Sequence, residues 1–223
     1  MVEEQRVRPF LEFHTHEIHV KKGCMGYLVD TIGVMRTDSN GPGQLQRKYQ
    51  YFMKSNPKQD DAKVRILITG GTFDKEYNEI TGNLYFKDTH VQEILSLGRS
   101  QVPVAIRTLM LVDSLDLLDS DRQIILDQCL KSPEKRIVIT HGTDTMVDTA
   151  RFLGPHIQDR TIILTGAMIP YTFGSSDGLF NLGSALAYAQ TLPPGVYIAM
   201  NGRSFFWDNV IKNRQLGRFE PLQ

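Results

Sequence analysis

Two short turns in the sequence carry hydroxyl groups where they could act as nucleophiles. Thr72 follows the paired glycines Gly70 and Gly71 directly after an apolar run, and Thr143 and Asp144 follow a second apolar run. Paired glycines let a substrate approach a neighbouring hydroxyl, but a hydroxyl is a weak nucleophile and needs a base. Backbone N–H groups at the helix start beside Thr143 could hold an anion or a developing oxyanion. These residue types fit acyl transfer.

Several other classes of function are disfavoured. The turn at residues 70–72 lacks the Lys-Ser/Thr pair of a P-loop and the third glycine of a dinucleotide fingerprint. Lysine plus arginine equals aspartate plus glutamate at 25 each, so we expect no nucleic-acid partner. Cys24 and Cys129 have neither disulfide-framework nor zinc spacing, and HTHEIH (14–19) has no further ligand cluster beside it. We therefore expect no metal site and a reducing compartment.

The sequence gives no indication of a membrane or secretory route. No apolar run approaches the roughly 20 residues that cross a bilayer. The N-terminus, MVEEQRVRPFLEF, carries acidic residues and has no apolar h-region. We expect no membrane contact and a cytoplasmic location.

Five apolar runs predict the strands that position these turns. Each is largely unbroken, as is typical of strands buried on both faces of a parallel sheet. Helical patterns lie between them, and Ser120 to Gln123 reads as a capping box at one helix start. This alternation predicts an α/β fold, a three-layer αβα flavodoxin-like sandwich with a mostly parallel sheet. The runs are 64–69, 106–112, 136–140, 161–165 and 196–200.

The turns after these runs are expected to meet, because ligands bind beyond the C-terminal ends of the strands in open parallel sheets. Any one of these turns could be an ordinary strand-to-helix connection, but small and hydroxyl-bearing residues recur in all of them. Together they indicate a binding site at one edge of the sheet. The turns are GGT (70–72), DSLD (113–116), HGTDT (141–145), GAMIP (166–170) and NGR (201–203).

These residues resemble a known family. TGGTFD (69–74) and THGTDTM (140–146) resemble the two signature motifs of the bacterial-type L-asparaginases, the threonine amidohydrolases. GAMIPYTFGSSDGLFNL (166–182) and DSLD (113–116) resemble two further segments, and the resemblance covers about residues 64 to 214. It implies hydrolysis of the side-chain amide of L-asparagine to aspartate and ammonia through an acyl-enzyme, with no metal or cofactor.

The resemblance also implies roles for single residues. Thr72 matches the primary nucleophile, and Tyr85 matches the tyrosine of a mobile active-site loop. We expect residues 73–84 to form this lid. Thr143, linked to Lys212 with Asp144 nearby, would relay the proton. The catalytic candidates are Thr72, Tyr85, Thr143, Asp144 and Lys212.

Substrate contacts follow from the same resemblance. Ser114 would hold the substrate α-carboxylate, Asp144 the α-amino group, and Ala167 the side-chain amide through its backbone. Leu115 stands where several family members have a glutamine that contacts the amino group. Either Leu115 weakens this contact, or it faces the core and another residue supplies it. The substrate-binding candidates are Gly71, Ser114, Leu115, Thr143, Asp144 and Ala167.

Other functions stay open. The protein could act on glutamine, or as an amidotransferase-type amidase on an amide held by a partner protein. It could also be a catalytically weak domain that binds an amino acid and regulates. His141 and Trp207 are interpreted as structural residues, and Asp177 as a helix cap with a second interpretation as support for the site.

The organisation of the chain suggests one α/β domain with an extension. Residues 63–223 are predicted to form the asparaginase N-terminal-type domain, and residues 1–62 a separate, partly disordered extension. Long family members continue into a second domain that completes a neighbour's site, and we expect none after Gln223. Because one side of the cleft would then stay open, we expect a homo-oligomer in which another copy covers it.

Overall fold

The computed structural model describes residues 29–30, 33–34 and 63–222. The chain separates into two compact units, residues 1–56 and 57–223. In the first unit, β1 (Val29–Asp30) pairs antiparallel with β2 (Gly33–Val34). The disorder expected for the extension and its predicted boundary at residue 62 lie outside the described residues.

The second unit is built on a six-stranded sheet. Its parallel strands lie in the order β6-β3-β7-β8-β9, and β10 joins the far edge antiparallel to β9. Counted along the chain, the parallel strands follow the order 2-1-3-4-5 of flavodoxin-like folds. The strands of the six-stranded sheet are β3 (Val64–Gly70), β6 (Val104–Val112), β7 (Arg136–Thr140), β8 (Thr161–Thr165), β9 (Gly195–Met200) and β10 (Arg203–Phe206). Two separate two-stranded sheets are formed by β4 (Lys75–Tyr77) with β5 (Leu84–Phe86) and by β11 (Ile211–Asn213) with β12 (Arg218–Glu220).

Helices cover both faces of this sheet. They are α1 (Val91–Leu97), α2 (Asp119–Lys131), α3 (Met146–Leu153) and α4 (Gly178–Thr191). Leu67 and Ile139 lie in the core that contains side chains of α2 and α3, whereas Ile68 and Val138 lie in the core that contains those of α1 and α4. Successive strand residues point to opposite faces, so the sheet has a hydrophobic core on each side. The predicted three-layer α/β fold is confirmed.

The apolar runs predict the central strands well and the edge strand less well. The bounds of β7 and β8 agree with the prediction. Strand β6 begins two residues before its predicted start at Ile106, and it is only partly buried, with Arg107 and Thr108 exposed. The expectation that all five strands are buried on both faces is wrong for β6, because it forms the sheet edge.

The predicted capping box at Ser120 is also wrong. The N-cap residue of helix α2 is Leu118, two residues before Ser120, and the helix begins at Asp119. The Leu118 N–H donates to the Asp121 carboxylate over 2.9 Å. A carboxylate in the first turn therefore satisfies a helix-end donor, and Ser120 lies inside the helix.

The Trp207 ring packs against the α2/α3 side of the sheet beside Gly154, where any Cβ would collide with the ring.

Among the residues that the structure describes, no helix combines the length and hydropathy needed to cross a bilayer.

Candidate active site

Glycines bring four strand-end turns into contact at one edge of the sheet. A Cβ on Gly71 would collide with the backbone of Gly142, and a Cβ on Gly142 would collide with the Ser114 side chain. A Cβ on Gly166 would collide with the His141 carbonyl. The turns after β3, β6, β7 and β8 therefore approach each other at positions where only glycine fits.

Thr72 and Thr143 follow two strands that lie next to each other, β3 and β7. The parallel connection from β3 crosses to β6 on one side, and the chain then returns to β7 on the other. This point is the topological switch of the sheet, where open α/β folds bind their ligands. The structure thus brings both threonine turns to the crevice expected for a ligand.

Thr72 is half-buried and begins a short 3-10 turn, Thr72–Asp74. Gly71 before it has a φ of 85°, a left-handed conformation that favours glycine. Phe73 is fully buried, and the buried Asp74 accepts hydrogen bonds from the Thr89 hydroxyl and the His90 N–H, each 3.0 Å long. The turn is therefore fixed behind Thr72.

Lys212 connects to the second threonine turn from the β11–β12 hairpin. Its ammonium group lies 2.8 Å from the Thr143 hydroxyl and 2.8 Å from an Asp144 carboxylate oxygen. Thr143 is 5% exposed and the Lys212 side chain 11%, while the Asp144 side chain is 39% exposed. A partly buried charged donor on a hydroxyl can stabilise negative charge that develops on that oxygen.

The Tyr85 hydroxyl donates its hydrogen bond to a carboxylate, not to Thr72. Tyr85 lies on β5 and is 39% exposed, and its hydroxyl donates to Glu76 on β4 over 3.1 Å. This hydrogen bond to a carboxylate raises the pKa of Tyr85. The structure thus brings Tyr85 to Glu76 across an antiparallel hairpin.

Ser114 is a buried residue of a turn that is held from two sides. Its carbonyl accepts a hydrogen bond of 2.7 Å from the Thr145 hydroxyl, next to the Thr143 turn. The Asp113 carboxylate accepts from the Leu115 N–H over 3.0 Å and forms an ion pair with Lys75. Leu115 is 65% exposed, so the alternative in which it faces the core is wrong.

The turn that carries Ala167 is held by two polar residues of the α4 region. The Asp177 carboxylate accepts from the Met168 N–H at 2.9 Å and the Ile169 N–H at 3.2 Å. Asn181 donates 2.9 Å to the Gly166 carbonyl and 2.8 Å to Asp177. Asp177 stands before α4 but its side chain does not cap it, so the helix-cap interpretation is wrong and the supporting one agrees with the contacts.

Sequence reasoning did not single out Asn181 or Lys75. Asn181 is a fully buried polar residue on a helix that is otherwise mainly apolar, and its amide also accepts from the Asn201 N–H over 2.9 Å. The signal for Asn181 was present, because an asparagine on the apolar face of a predicted helix needs buried partners. Lys75 follows the first motif directly, but nothing local indicates its partner Asp113, 38 residues away.

His141 is buried and neutral. Its Nδ1 lies 2.7 Å from the Gly142 carbonyl, and its Nε2 lies 2.9 Å from the Thr149 hydroxyl, which accepts from Arg122 over 3.2 Å. Complete burial lowers the pKa of His141 to about 4. These contacts agree with the structural turn residue that the sequence predicts, with Nδ1 donating to the carbonyl.

Metal binding has no support among the described residues, where no group of three or more His, Cys, Asp or Glu side chains could hold an ion. The segment HTHEIH lies outside those residues.

The fold and the site together define an α/β domain with two threonine turns and a lysine at the switch point. Residues 63–217 match the sequence profile described as asparaginase, N-terminal. The chain belongs to the asparaginase family.

Individual relatives agree with this assignment. The L-asparaginase of Thermococcus kodakarensis is 29% identical over 160 residues, which are 70% of this chain and 49% of that protein. The glutaminase-asparaginase of Acinetobacter glutaminasificans is 41% identical over 102 residues, 44% of this chain and 30% of that protein.

Solved structures give the same result. The thermostable L-asparaginase from Thermococcus kodakarensis superposes with a TM-score of 0.64 at 29% identity, covering 72% of this chain and 51% of that one. The probable cytoplasmic L-asparaginase from Campylobacter jejuni gives 0.61 at 26% identity, covering 72% and 53%. The chain thus spans about half the length of these two proteins.

Proposed function

We propose that this chain hydrolyses the side-chain amide of L-asparagine to aspartate and ammonia, with Thr72 as the nucleophile. The observation that carries the proposal is the lysine on the second threonine turn: Lys212 donates to both Thr143 and Asp144 over 2.8 Å. Membership of the asparaginase family supports it, as does the similarity to L-asparaginases.

The chemistry follows from the positions of these groups. The Thr72 hydroxyl attacks the amide carbonyl, the carbon–nitrogen bond breaks, and ammonia leaves an acyl-enzyme on Thr72. The proton of the Thr72 hydroxyl passes to Thr143 as Thr143 gives its own proton to the departing nitrogen, so both hydroxyl protons are accounted for. The Lys212 ammonium stabilises the negative charge that develops on the Thr143 oxygen during this relay. Water then attacks the acyl-enzyme, releases aspartate and restores the Thr72 hydroxyl.

The turns around Thr72 would hold the substrate. Ser114 takes the α-carboxylate, and the Asp144 oxygen that Lys212 does not bind takes the α-ammonium group. Gly71 leaves room beside the nucleophile, and the backbone at Ala167 contacts the side-chain amide. Closure of the β4–β5 hairpin would carry Tyr85, together with its partner Glu76, towards Thr72.

A second candidate substrate is glutamine. Leu115 is exposed at the site and offers no acceptor to the substrate ammonium, and one relative is a glutaminase-asparaginase. Asparaginase, glutaminase and amidotransferase-type activity differ in the amide that enters the cleft: free asparagine, free glutamine or an amide held by a partner protein.

Ammonia release from purified protein tests the proposal. Asparagine and glutamine are supplied separately, and ammonia and the acidic product are both quantified. We expect turnover of asparagine with the higher kcat/KM. Preferred glutamine turnover would move the assignment to a glutaminase. Tight aspartate binding without ammonia release from either amino acid would favour the regulatory alternative.

We also propose that the protein is a cytoplasmic homo-oligomer that acts on a free amino acid. The location is supported by the Campylobacter jejuni neighbour, a probable cytoplasmic L-asparaginase. The assembly is supported by exposed apolar side chains: Leu115, Ile169 and Phe173 are 65%, 39% and 49% exposed. Packing against another copy would remove these apolar side chains from water. Light scattering at assay concentration tests the assembly, and a fully active monomer would contradict it. Cell fractionation tests the location.

A further inference from the structure

An ion pair joins the nucleophile turn to the turn that carries Ser114. Lys75 ends the Thr72 turn, where its N–H donates to the Thr72 carbonyl, and it is the first residue of β4. Its ammonium group pairs with the Asp113 carboxylate, one residue before Ser114. The two side chains are only 16% and 29% exposed, so the pair is partly screened from water.

Asp113 carries a negative charge at neutral pH. Burial favours its neutral form, but the hydrogen bonds from Lys75 and from the Leu115 N–H outweigh burial and hold the pKa of Asp113 below its ordinary value. One Asp113 carboxylate oxygen accepts a hydrogen bond of 3.0 Å from the Leu115 N–H, and the other accepts from the Lys75 ammonium group. The Asp113 side chain thus shapes the Ser114 turn through one oxygen and binds Lys75 through the other.

This charge creates a conflict with the substrate that the proposed function assigns. Ser114 would hold an α-carboxylate next to a residue that is itself a carboxylate, and like charges at short range in a partly buried site repel. The other ammonium group of the described site, Lys212, is already bonded to Thr143 and Asp144. Lys75 is placed to compensate Asp113.

We propose that Lys75 determines specificity for substrates with a free α-carboxylate, because it neutralises Asp113 beside Ser114. This inference rests on the proposed function and adds a residue to it. Lys75 acts through Asp113 and is a positioning and specificity residue, with no part in the bond-breaking step. The same pair fixes the base of the β4–β5 hairpin to the Ser114 turn, so the hairpin tip can move while the carboxylate site stays formed.

Three variants distinguish the effect of the Lys75 and Asp113 charges from the effect of their packing and hydrogen bonds. Lys75→Met keeps most of the side-chain stem and removes the ammonium group. Asp113→Asn keeps an acceptor for the Leu115 N–H and removes the charge. The double variant removes both charges together. Lys135→Met is the matched control, because it breaks an exposed ion pair with Asp159 at the other end of β7.

Aspartate binding by calorimetry and asparagine kinetics are measured for each variant. We expect Lys75→Met to raise the aspartate Kd and the asparagine KM about tenfold, with little change in kcat, because a like charge is exposed beside the ligand. The double variant should return both values to near those of the wild type. Hydrolysis of 3-aminopropanamide, which is asparagine without its α-carboxylate, should be insensitive to Lys75→Met.

Three results would overturn the inference: unchanged Kd and KM in Lys75→Met, no recovery in the double variant, or equal losses with 3-aminopropanamide. The last two would leave Lys75 with only a structural role. Failure of the proposed function looks different. A wild type that binds aspartate but releases no ammonia fails as an amidase, while the Kd series still decides the role of Lys75. A wild type that neither binds aspartate nor releases ammonia contradicts both.

Discussion

The Lys212 ammonium group lies 2.8 Å from the Thr143 hydroxyl, although the two residues are 69 positions apart in the chain. The β11–β12 hairpin carries the lysine into a position where its side chain is 11% exposed, and Asp144 binds the same ammonium group. These three groups form one unit, since each hydrogen bond in it involves Lys212.

We therefore expect Lys212→Met and Thr143→Val each to lower kcat by about 10²–10⁴-fold, the range typical of a lost proton-transfer group. The double variant should be little worse than either single variant, because residues that act as a unit are not additive. Steady-state kinetics check this, with Lys131→Met as control. Lys131 pairs with Asp127 at an exposed helix end. Fully additive losses would contradict the shared role.

Thr72→Ala should abolish ammonia release and leave the fold intact. Thr72 is half-buried, whereas its neighbours Phe73 and Asp74 are buried and anchor the turn. Loss of one hydroxyl therefore removes the nucleophile without removing packing. Ammonia assays and thermal unfolding test this, with the exposed Thr191→Ala as control. Retention of most activity in Thr72→Ala would show that another group attacks the substrate.

The central fold could be read from the sequence because its strands are short, apolar and buried. Strands such as β7 and β8 consist almost entirely of core residues, so their bounds coincide with the apolar runs. The hairpin strands β4, β5, β11 and β12 have three residues each, which is too short to give a period. The sequence therefore predicts the sheet centre better than the elements at its edge.

The site divides in the same way. The glycine–threonine turns follow directly from strand ends, so Thr72 and Thr143 could be placed by topology. Lys75 and Asp177 depend on partners in other elements, which no local pattern specifies. Asp177 illustrates the difference: a position before a helix favours a cap, but the unpaired N–H groups of the neighbouring turn compete for the same carboxylate and bind it.

The hairpin tip should be mobile without ligand and protected when ligand binds. Between β4 and β5, Ile80 is 88% exposed and the turn is held locally by Asn78, which accepts from the Ile80 and Thr81 N–H groups. Few buried contacts allow low-energy opening. Hydrogen exchange with and without aspartate measures this, and β7 serves as the internal reference. Equal protection of residues 73–84 in both states would argue against a lid.

Acid should destabilise the fold through His141. Its folded-state pKa is about 4 against an ordinary value near 6.5. Between these values the unfolded chain binds a proton that the folded chain excludes, so stability rises with pH across this window. The contribution is complete above about pH 6.5 and falls by up to roughly 3 kcal/mol towards pH 4. Asp74, whose pKa is raised by burial, opposes this trend.

Urea unfolding between pH 4 and pH 7.5 measures the slope for the wild type, His141→Gln and the exposed-histidine control His156→Gln. We expect His141→Gln to flatten the slope and His156→Gln to preserve it. If His141→Gln does not fold, histidine NMR titration of the wild type decides the question. A His141 ring that gains its proton near pH 6.5 would contradict the prediction.

Leu115→Gln should lower the Michaelis constant for asparagine. Leu115 is 65% exposed next to the buried Ser114, so a glutamine at this position can reach solvent and the bound substrate without displacing core residues. A hydrogen bond to the charged ammonium group contributes roughly 1.5–3 kcal/mol, which corresponds to about ten- to a hundredfold in affinity. Leu118→Gln is a close control, because Leu118 is also 65% exposed but lies at the start of α2. An unchanged or raised Michaelis constant in Leu115→Gln, with circular dichroism like that of the wild type, would mean that another residue binds the ammonium group.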